Sequence, residues 1–175
     1  AIYDLDKCGH QCDLKLFTGH DCARARNNIA DWSVAGGYDY VFMIDSDTIV
    51  PKDALKNLLD PAADIVMGCC PKKNTKKKEY PLCRAQSPTL SPCLTADDLQ
   101  GTERIEIKVG GFACALVKTE VFTYMNYPYF KYLEYEDRKI LSEDYYFCLE
   151  AIGRGYEIWA DPRVKCGHQI KGYRS

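Results

Sequence analysis

The chain has 175 residues, of which 46% are hydrophobic and 27% are charged, and its formal net charge is −2. That composition suffices for one packed core, and the length fits a single domain over residues 1–175. The near balance of charge argues against a dedicated nucleic-acid-binding protein, which carries a clear basic excess. No apolar run approaches the roughly 18 residues that span a bilayer, and the first residues lack a signal-peptide pattern. We therefore expect a cytoplasmic protein.

Ten cysteines are present, and they allow two interpretations. A disulfide framework is typical of short secreted chains that lack a core, whereas thiols stay reduced in the cytoplasm. Cys114 and Cys148 lie within apolar segments, where a free thiol behaves as a small hydrophobic group. The spacing of the cysteines contains no C-x-x-C pair, the usual unit of a structural zinc site. We therefore predict free thiols and no structural zinc.

The first part of the chain predicts a strand, a helix, a second strand and a second helix. The alternation of polar and apolar side chains in residues 12–17 is typical of a half-buried strand. Residues 22–35 have apolar side chains at helical spacing and end at two glycines. The run Tyr40–Ile44 is apolar throughout, as in a central strand buried on both faces. A helix then begins at Pro51, because proline is favoured at the first helical position.

The alternation continues after a long irregular segment. Residues 65–67 predict another short buried strand, and residues 70–102 are rich in proline, lysine, serine and threonine, which predicts a long functional or mobile loop. Further strands are predicted at residues 105–109 and 156–160, with a helix at 142–153 between them. Strands that alternate with helices predict an α/β sheet with helices on both faces. Chemistry in such sheets gathers at the carboxyl ends of the strands.

The strongest functional signal is Asp45-Ser46-Asp47, which follows the buried strand directly. Two carboxylates one residue apart at the end of a strand can both turn into the crevice. Their oxygen atoms suit a hard divalent cation such as Mg²⁺. The alternative is a solvated turn in which aspartate acts only as a turn former.

Three further groups are candidates for chemistry. Glu143 and Asp144 lie in the first turn of a predicted helix, where the macrodipole favours acids and where a carboxylate could also accept a proton from a hydroxyl. His168 follows the last strand and could join carboxylates around a borderline metal. Arg24 and Arg26 lie near a helix start, where guanidinium and free N–H groups form a phosphate site. None of these groups is decisive by itself.

The order and spacing of these groups are more informative than any one of them. The runs ARN, DYVFMIDSD, VGGFACALVKTEVF and SEDYYFCLEAIGRGYEIWADPRVKCGH follow one another along the chain. Together they resemble the family 2 glycosyltransferases over residues 12–168, and the last run is the most specific. The resemblance implies a GT-A fold, that of the nucleotide-diphospho-sugar transferases. Such a fold has a mixed, mainly parallel sheet with helices on both faces.

The resemblance also implies a metal site and a general base. Asp47 and His168 would bind Mn²⁺ or Mg²⁺ at the diphosphate of the donor, and Asp45 would contact the ribose or the water shell of the metal. Asp144 would act as the general base on the acceptor hydroxyl, with Glu143 as the second choice.

The remaining implied roles concern the donor. Arg26 and Asn27 would hold the nucleotide, and Gly110 and Gly111 would let the backbone approach the donor sugar or the acceptor. The implied reaction is an inverting, metal-dependent transfer of a sugar from a nucleotide diphosphate to an acceptor hydroxyl. UDP is the usual nucleotide of the family, and the acceptor could be a saccharide, a lipid or a protein.

The sequence departs from the family in two places that affect these expectations. The strand that normally precedes residue 1 and holds the nucleobase is not in the sequence, so the strand Tyr40–Ile44 lacks one neighbour. We expect an open sheet edge that pairs with another chain, or roughly 20 upstream residues that complete a truncated domain. The lysines within residues 72–78 match nothing in the family, and they form either a solvated loop or a contact to an anionic acceptor.

Two other functions use parts of the same pattern. Aspartyl-phosphate phosphatases have an apolar strand that ends in D-x-D, but they need Thr or Val four residues after the first aspartate, where this chain has Ile49. A non-enzymatic, cysteine-rich metal-binding module is the second alternative. Release of a nucleotide diphosphate from nucleotide sugars in the presence of Mn²⁺ separates the three functions, since we expect it of a transferase alone.

Overall fold

The computed structural model describes residues 10–73, 78–84, 93–136 and 139–169. The helices in these ranges are α1 (Cys22–Ala35), α2 (Ala54–Leu59), α3 (Glu120–Thr123) and α4 (Glu143–Gly153). The central sheet contains β1 (Tyr40–Ile44), β3 (Ile65–Cys69), β7 (Ile105–Ile107), β9 (Cys114–Lys118) and β12 (Ile158–Lys165). Shorter pairs are β2 (Thr48–Ile49) with β13 (Gly167–His168), β4 (Glu79–Tyr80) with β6 (Leu94–Thr95), β5 (Leu82–Cys83) with β8 (Val109–Gly110), and β10 (Leu133–Glu134) with β11 (Ile140–Leu141).

The central sheet has the strand order β1-β9-β3-β12-β7. Strands β3 and β12 are parallel, whereas the pairs β1–β9, β9–β3 and β12–β7 are antiparallel. The prediction of a mixed α/β sheet is confirmed, and the prediction that it is mainly parallel is wrong. The described residues between β3 and β9 contain short strands and no crossover helix, which a parallel neighbour would need, and both β9 and β7 run opposite to the strands beside them. An apolar run does not encode the direction of a strand.

Helices cover both faces of the sheet, as predicted. On one face, α1 and α4 belong to a core that includes Ile65 and Met67 of β3. On the other face, Ala54 and Leu58 of α2 belong to a core that includes Val66. Because successive side chains of a strand point to opposite faces, β3 contacts a core on each side and is buried at every position. No helix in the described ranges has both the length and the apolar character needed to cross a membrane.

Aromatic side chains fill the larger core. The rings of Phe130 and Phe147 are stacked with their centroids 4.6 Å apart. Phe112 packs edge-on against both rings, at 5.1 and 5.0 Å. Such pairs stabilise a core beyond the area they bury. This cluster therefore fixes the start of α4, which carries Phe147, relative to the backbone at Gly111, which precedes Phe112.

The strand predicted for residues 12–17 is wrong. These residues form no strand, and Leu14 and Leu16 are 71% and 78% exposed. Phe17 instead packs edge-on against Trp32 of α1, with ring centroids 6.4 Å apart, and Tyr38 donates a hydrogen bond of 2.6 Å to Asp13. Local alternation is not sufficient for a strand, because a strand also needs a partner for its backbone hydrogen bonds.

Two other predicted elements differ in extent. The second helix begins at Ala54 rather than at Pro51, which lies in the preceding turn and accepts a backbone hydrogen bond of 3.1 Å from Ala54. The segment 70–102 contains the short strands β4, β5 and β6, so the prediction of a loop throughout is wrong. Strands of two residues are too short to leave a periodic pattern in the sequence.

Strand β1 lies at the edge of the central sheet and not at its centre. Within the described ranges β9 is its one hydrogen-bonded neighbour. Tyr40 and Phe42 are half-buried, and Ile44 is exposed, so burial on both faces is also wrong for this strand. Residues 1–9 lie outside the described ranges. Pairing of this edge with another chain stays a prediction.

Replacing Gly110 with alanine is expected to destabilise the protein by roughly 1–3 kcal/mol. A Cβ at Gly110 would overlap Met67 Sδ and would lie 2.9 Å from Leu82 Cδ2, inside the core. A Cβ at Gly111 would lie 3.1 Å from its nearest neighbour, Pro81 Cγ, so Gly111→Ala is the matched control. Urea unfolding of both variants measures the difference. An equal or smaller loss for Gly110→Ala would contradict the packing argument.

Candidate functional site

The candidate site lies where the carboxyl end of β1 meets the start of α4. Asp45 directly follows β1, and Glu143 is the first residue of α4. Arg26 reaches the same place from the second turn of α1, whose start is capped by Asp21, which accepts a 3.0 Å hydrogen bond from the backbone N–H of Arg24. Three segments that are far apart in sequence therefore contribute charged side chains to one place.

Arg26 connects the two acidic motifs. Its Nη2 lies 3.3 Å from Asp45 Oδ1, and its Nη1 donates a hydrogen bond to Glu143 Oε1. The guanidinium group also lies over the ring of Phe112, at 5.7 Å from the centroid. The side chains of Arg26 and Glu143 are each 7% exposed, whereas that of Asp45 is 42% exposed. The arrangement is therefore a buried ion pair with one carboxylate that faces solvent.

Glu143 has a second partner in Tyr132. Partial desolvation of the phenol, together with the charge of Glu143 and the hydrogen bond to it, raises the pKa of Tyr132 to about 12, although the residue is 49% exposed. The phenol is protonated at neutral pH, and its hydroxyl donates a hydrogen bond to the Glu143 carboxylate. With an arginine and a tyrosine as donors, the Glu143 carboxylate is already occupied. This makes Glu143 a poorer candidate for a general base than its neighbour.

Asp144 has one anchored oxygen. Its Oδ1 accepts hydrogen bonds from the Ser142 hydroxyl and from the backbone N–H of Tyr145, the latter at 2.9 Å. Its Oδ2 faces Gly111, because a Cβ at that glycine would lie 3.6 Å from the oxygen. Ser142 occupies the predicted capping position, but its hydroxyl bonds to Asp144 instead of a helix N–H. The carboxylate is thus oriented, with one oxygen next to a backbone that has no side chain.

Asp47 and His168 lie in a second group beside the first. Strand β13 places His168 opposite Thr48, and the backbone N–H of Gln169 donates a 2.8 Å hydrogen bond to the carbonyl of Asp47. The Asp47 carboxylate accepts a hydrogen bond from Lys73. This bond, with a smaller contribution from His168, holds the pKa of Asp47 below its usual value.

The second group offers few side-chain ligands to a divalent cation. The Asp47 carboxylate already forms an ion pair with the ammonium of Lys73. His168 is close enough to contribute to the lowered pKa of Asp47. Thr48 follows Asp47 in sequence and lies opposite His168 in the ladder. Its hydroxyl is buried without a hydrogen-bond partner in the described chain. No group of three metal-ligating side chains is found in residues 10–73, 78–84, 93–136 and 139–169. A cation here would therefore need phosphate oxygens to complete its coordination.

The structure gives two of the predicted donor-binding residues other contacts. The side-chain amide of Asn27 donates a 2.7 Å hydrogen bond to the carbonyl of Phe130 and accepts one of 3.1 Å from its N–H. Gly110 is enclosed by core side chains. Asn27 thus connects α1 to the segment before β10, and Gly110 makes room in the core. Contact of either residue with a nucleotide sugar stays a prediction.

Sequence reasoning missed Tyr132 and did not single out Lys73. Lys73 belongs to the lysine-rich segment. The position of this segment along the chain was the only signal that one of its lysines could lie next to the D-x-D motif. Lys76 and Lys77 lie outside the described residues. Tyr132 belongs to a stretch with many tyrosines, and no local pattern distinguishes the one that contacts Glu143.

A separate cavity of about 520 Å³ lies at the other end of β1. Tyr38, Tyr40, Lys118 and Thr119 contribute to its lining. It therefore opens near the start of the strand, whereas the candidate site lies beyond the strand's carboxyl end. The charged groups described above do not belong to it.

Comparisons with known proteins support the fold of this chain and leave its family open. No protein-family model matches the chain, and neither does any curated protein. Among solved structures, A197 from STIV has a TM-score of 0.59 at 16% identity, over 87% of this chain and 70% of that one. GalNAc-T7 with UDP, GalNAc and Mn²⁺ has a TM-score of 0.57 at 13% identity, over 87% of this chain and 31% of that one. GalNAc-T7 is a GT-A glycosyltransferase, and the chain has a GT-A-like fold.

Proposed function

We propose that this chain is a metal-dependent glycosyltransferase that moves a sugar from a nucleotide diphosphate to an acceptor hydroxyl with inversion. The observation that carries the proposal is the Arg26 bridge. One buried arginine joins Asp45 of the D-x-D motif to Glu143 of the E-D motif, so both motifs lie at one end of a GT-A-like sheet. Ligands bind at the carboxyl ends of strands in sheets of this kind.

The proposed donor and metal are taken from the ligands of the structural neighbour GalNAc-T7. GalNAc-T7 was solved with UDP, GalNAc and Mn²⁺, and we propose a UDP-sugar and Mn²⁺ or Mg²⁺ for this chain as well. Asp47 and His168 would hold the cation, and Asp45 would face the ribose or the water around the metal. When bound, the cation neutralises the negative charge that develops on the leaving diphosphate.

Lys73 gives the same region a second positive group. In this structure its ammonium is bonded to Asp47, and both side chains are partly exposed. If Asp47 held a cation, the Lys73 ammonium would exchange this carboxylate for a diphosphate oxygen. Such an exposed ion pair contributes little stability, so the exchange costs little.

Asp144 is the proposed general base. Its Oδ2 accepts the proton of the acceptor hydroxyl. At the same time the acceptor oxygen forms a bond to the anomeric carbon, and the bond between that carbon and the diphosphate oxygen breaks. Attack from the side opposite the leaving group inverts the anomeric centre. Gly111 leaves room beside Oδ2, since a side chain there would meet Pro81 and Asp144. The acceptor remains a saccharide, a lipid or a protein.

Replacing Asp47 with alanine is expected to abolish the increase in UDP affinity that Mn²⁺ produces, a change of roughly tenfold or more. The reason is that the variant loses the carboxylate that would connect the cation to the protein. Titration calorimetry with UDP, with Mn²⁺ and with a chelator, measures the effect. Asp53→Ala is the matched control, because Asp53 is an exposed aspartate whose side chain makes no capping hydrogen bond.

Two results would count against the proposal. A UDP affinity that changes neither with the chelator nor with the Asp47 substitution would contradict the proposed metal site. If the parent protein binds no nucleotide and releases no nucleotide diphosphate from nucleotide sugars, the proposed transferase activity is wrong. Pairing of a second chain with the open edge of β1 is a separate proposal that these measurements leave untouched.

A further inference from the structure

Two cysteines near the candidate site have their sulfur atoms in contact. Cys83 Sγ and Cys93 Sγ are 3.8 Å apart. Both are free thiols in this structure. Cys83 is the last residue of β5, and Cys93 immediately precedes β6. A disulfide has a sulfur–sulfur distance of about 2.05 Å, so a shift of roughly 2 Å would bring the pair to bonding distance.

The backbone on each side of the pair is held by short ladders. Strand β5 pairs with β8 so that Cys83 lies opposite Val109, and Lys108 donates a 2.7 Å backbone hydrogen bond to the carbonyl of Cys83. Strand β6 pairs with β4 so that Leu94 lies opposite Tyr80. Cys83 and the residue after Cys93, Leu94, are thus held in ladders, and these ladders bring the two sulfur atoms into contact.

The surroundings of the two thiols differ in a way that suits stepwise oxidation. Lys72 contacts Cys93, and the hydrogen bond to this thiol is the main reason that the pKa of Lys72 is raised. Exchange with a small-molecule disulfide requires access to the attacking sulfur. Cys93 is half-buried and can be reached from solvent, whereas Cys83 is buried. Cys93 is therefore the thiol that attacks first, and Cys83 is the one that completes the exchange.

We propose that Cys83 and Cys93 form a reversible disulfide. The Cys93 thiolate attacks a small-molecule disulfide such as oxidised glutathione, forms a mixed disulfide and releases one glutathione thiolate. Cys83 then loses its proton and displaces the second glutathione. Two protein thiols are oxidised to one disulfide, and one glutathione disulfide is reduced to two thiols. Reduced glutathione reverses the reaction.

The disulfide would act on the candidate site through Tyr145. The Tyr145 hydroxyl lies 3.6 Å from Cys83 Sγ, and Tyr145 directly follows Asp144. Either group can donate in this contact; oxidation removes the thiol hydrogen, so the Cys83 sulfur can then only accept from the Tyr145 hydroxyl, and it closes a covalent ring through Cys83 and Cys93. The disulfide itself does not depend on the proposed transferase activity; an effect on turnover does.

Peptide mapping of the intact chain tests the proposal. The protein is equilibrated in mixtures of reduced and oxidised glutathione, alkylated and digested, and the cross-linked peptides are identified by mass. We expect one cross-link between Cys83 and Cys93, reversible by reduced glutathione. The melting temperature of the oxidised form should rise by roughly 5–10 °C. In Cys93→Ser both the cross-link and the rise should disappear, whereas Cys12→Ser, at an exposed cysteine, should keep both.

Other results would overturn it. Separate alkylation of Cys83 and Cys93 at every glutathione ratio would show that the contact does not become a bond. A cross-link that joins either residue to a different cysteine would contradict the pairing. Because mapping needs neither nucleotide nor acceptor, its outcome is independent of the Asp47 experiment. If transferase activity fails but the cross-link forms, the disulfide stands and the proposed function falls.

Discussion

Replacing Arg26 with methionine is expected to lower the free energy of unfolding by roughly 3–5 kcal/mol. The substitution keeps much of the apolar volume of the side chain but leaves the Glu143 carboxylate buried without its cation. Glu143 would keep the hydrogen bond from Tyr132, which offsets only part of the cost of burying the charge. Asp45 would lose less, because its side chain is 42% exposed and water can replace the guanidinium.

Urea unfolding of Arg26→Met beside Arg24→Met measures this effect. Arg24 is an exposed arginine two residues earlier on the same helix, so the control removes an equal charge from a solvated position. The double variant Arg26→Met with Glu143→Gln should recover part of the loss, because the buried charge is then removed together with its partner. Equal stabilities of the two single variants would show that the bridge contributes nothing.

The Arg26 bridge also illustrates what the sequence could predict about this site. Asp45, Glu143 and Arg26 were each recognisable beforehand, because they lie next to a buried strand or at the start of a helix. Their contact was not recognisable. It joins positions that are 19 and 117 residues apart, and no local period relates such positions. Local sequence patterns thus predict the parts of the site, and the order of the strands in the sheet determines their arrangement.

The same distinction explains which elements were predicted correctly. Helices α1 and α4 have several turns, so their apolar spacing could be read from the chain. Strand β3 was predicted as buried from its short apolar run. The run is apolar at successive positions because both faces of the strand contact a core. The segment 12–17 has the alternation of a strand but pairs with no strand in the part of the chain that the structure describes. The direction of β9 and the edge position of β1 depend on distant segments, which pattern analysis does not report.

The roles of Asn27 and Gly110 show a related limit. A polar residue or a glycine beside a catalytic motif suggests ligand binding by its type alone. In the structure the amide of Asn27 is used by the Phe130 backbone, and Gly110 accommodates Met67. Both contacts position the elements that carry the site. Residue type therefore did not predict these packing contacts, and contact of either residue with a nucleotide sugar stays a prediction.

Replacing Asp144 with asparagine is expected to lower the release of nucleotide diphosphate from a nucleotide sugar by roughly 10²-fold or more. Asparagine keeps the shape of the side chain and can still accept a hydrogen bond from Ser142 or from the Tyr145 N–H. It cannot take a proton from the attacking hydroxyl. UDP affinity in Mn²⁺ should stay within about twofold of the parent, because the proposed metal ligands Asp47 and His168 are untouched.

Glu143→Gln is the matched control, since it makes the same chemical change at the preceding residue. Its carboxylate is bonded to Arg26 and Tyr132, so we expect this variant to lose stability and to retain far more turnover than Asp144→Asn. Initial rates with a panel of hydroxyl acceptors, including water, together with UDP titrations, separate the two variants. If Glu143→Gln loses the rate and Asp144→Asn keeps it, the base is Glu143. If both variants turn over like the parent, proton transfer depends on a different group, and the orientation of Asp144 by Ser142 serves only to start helix α4.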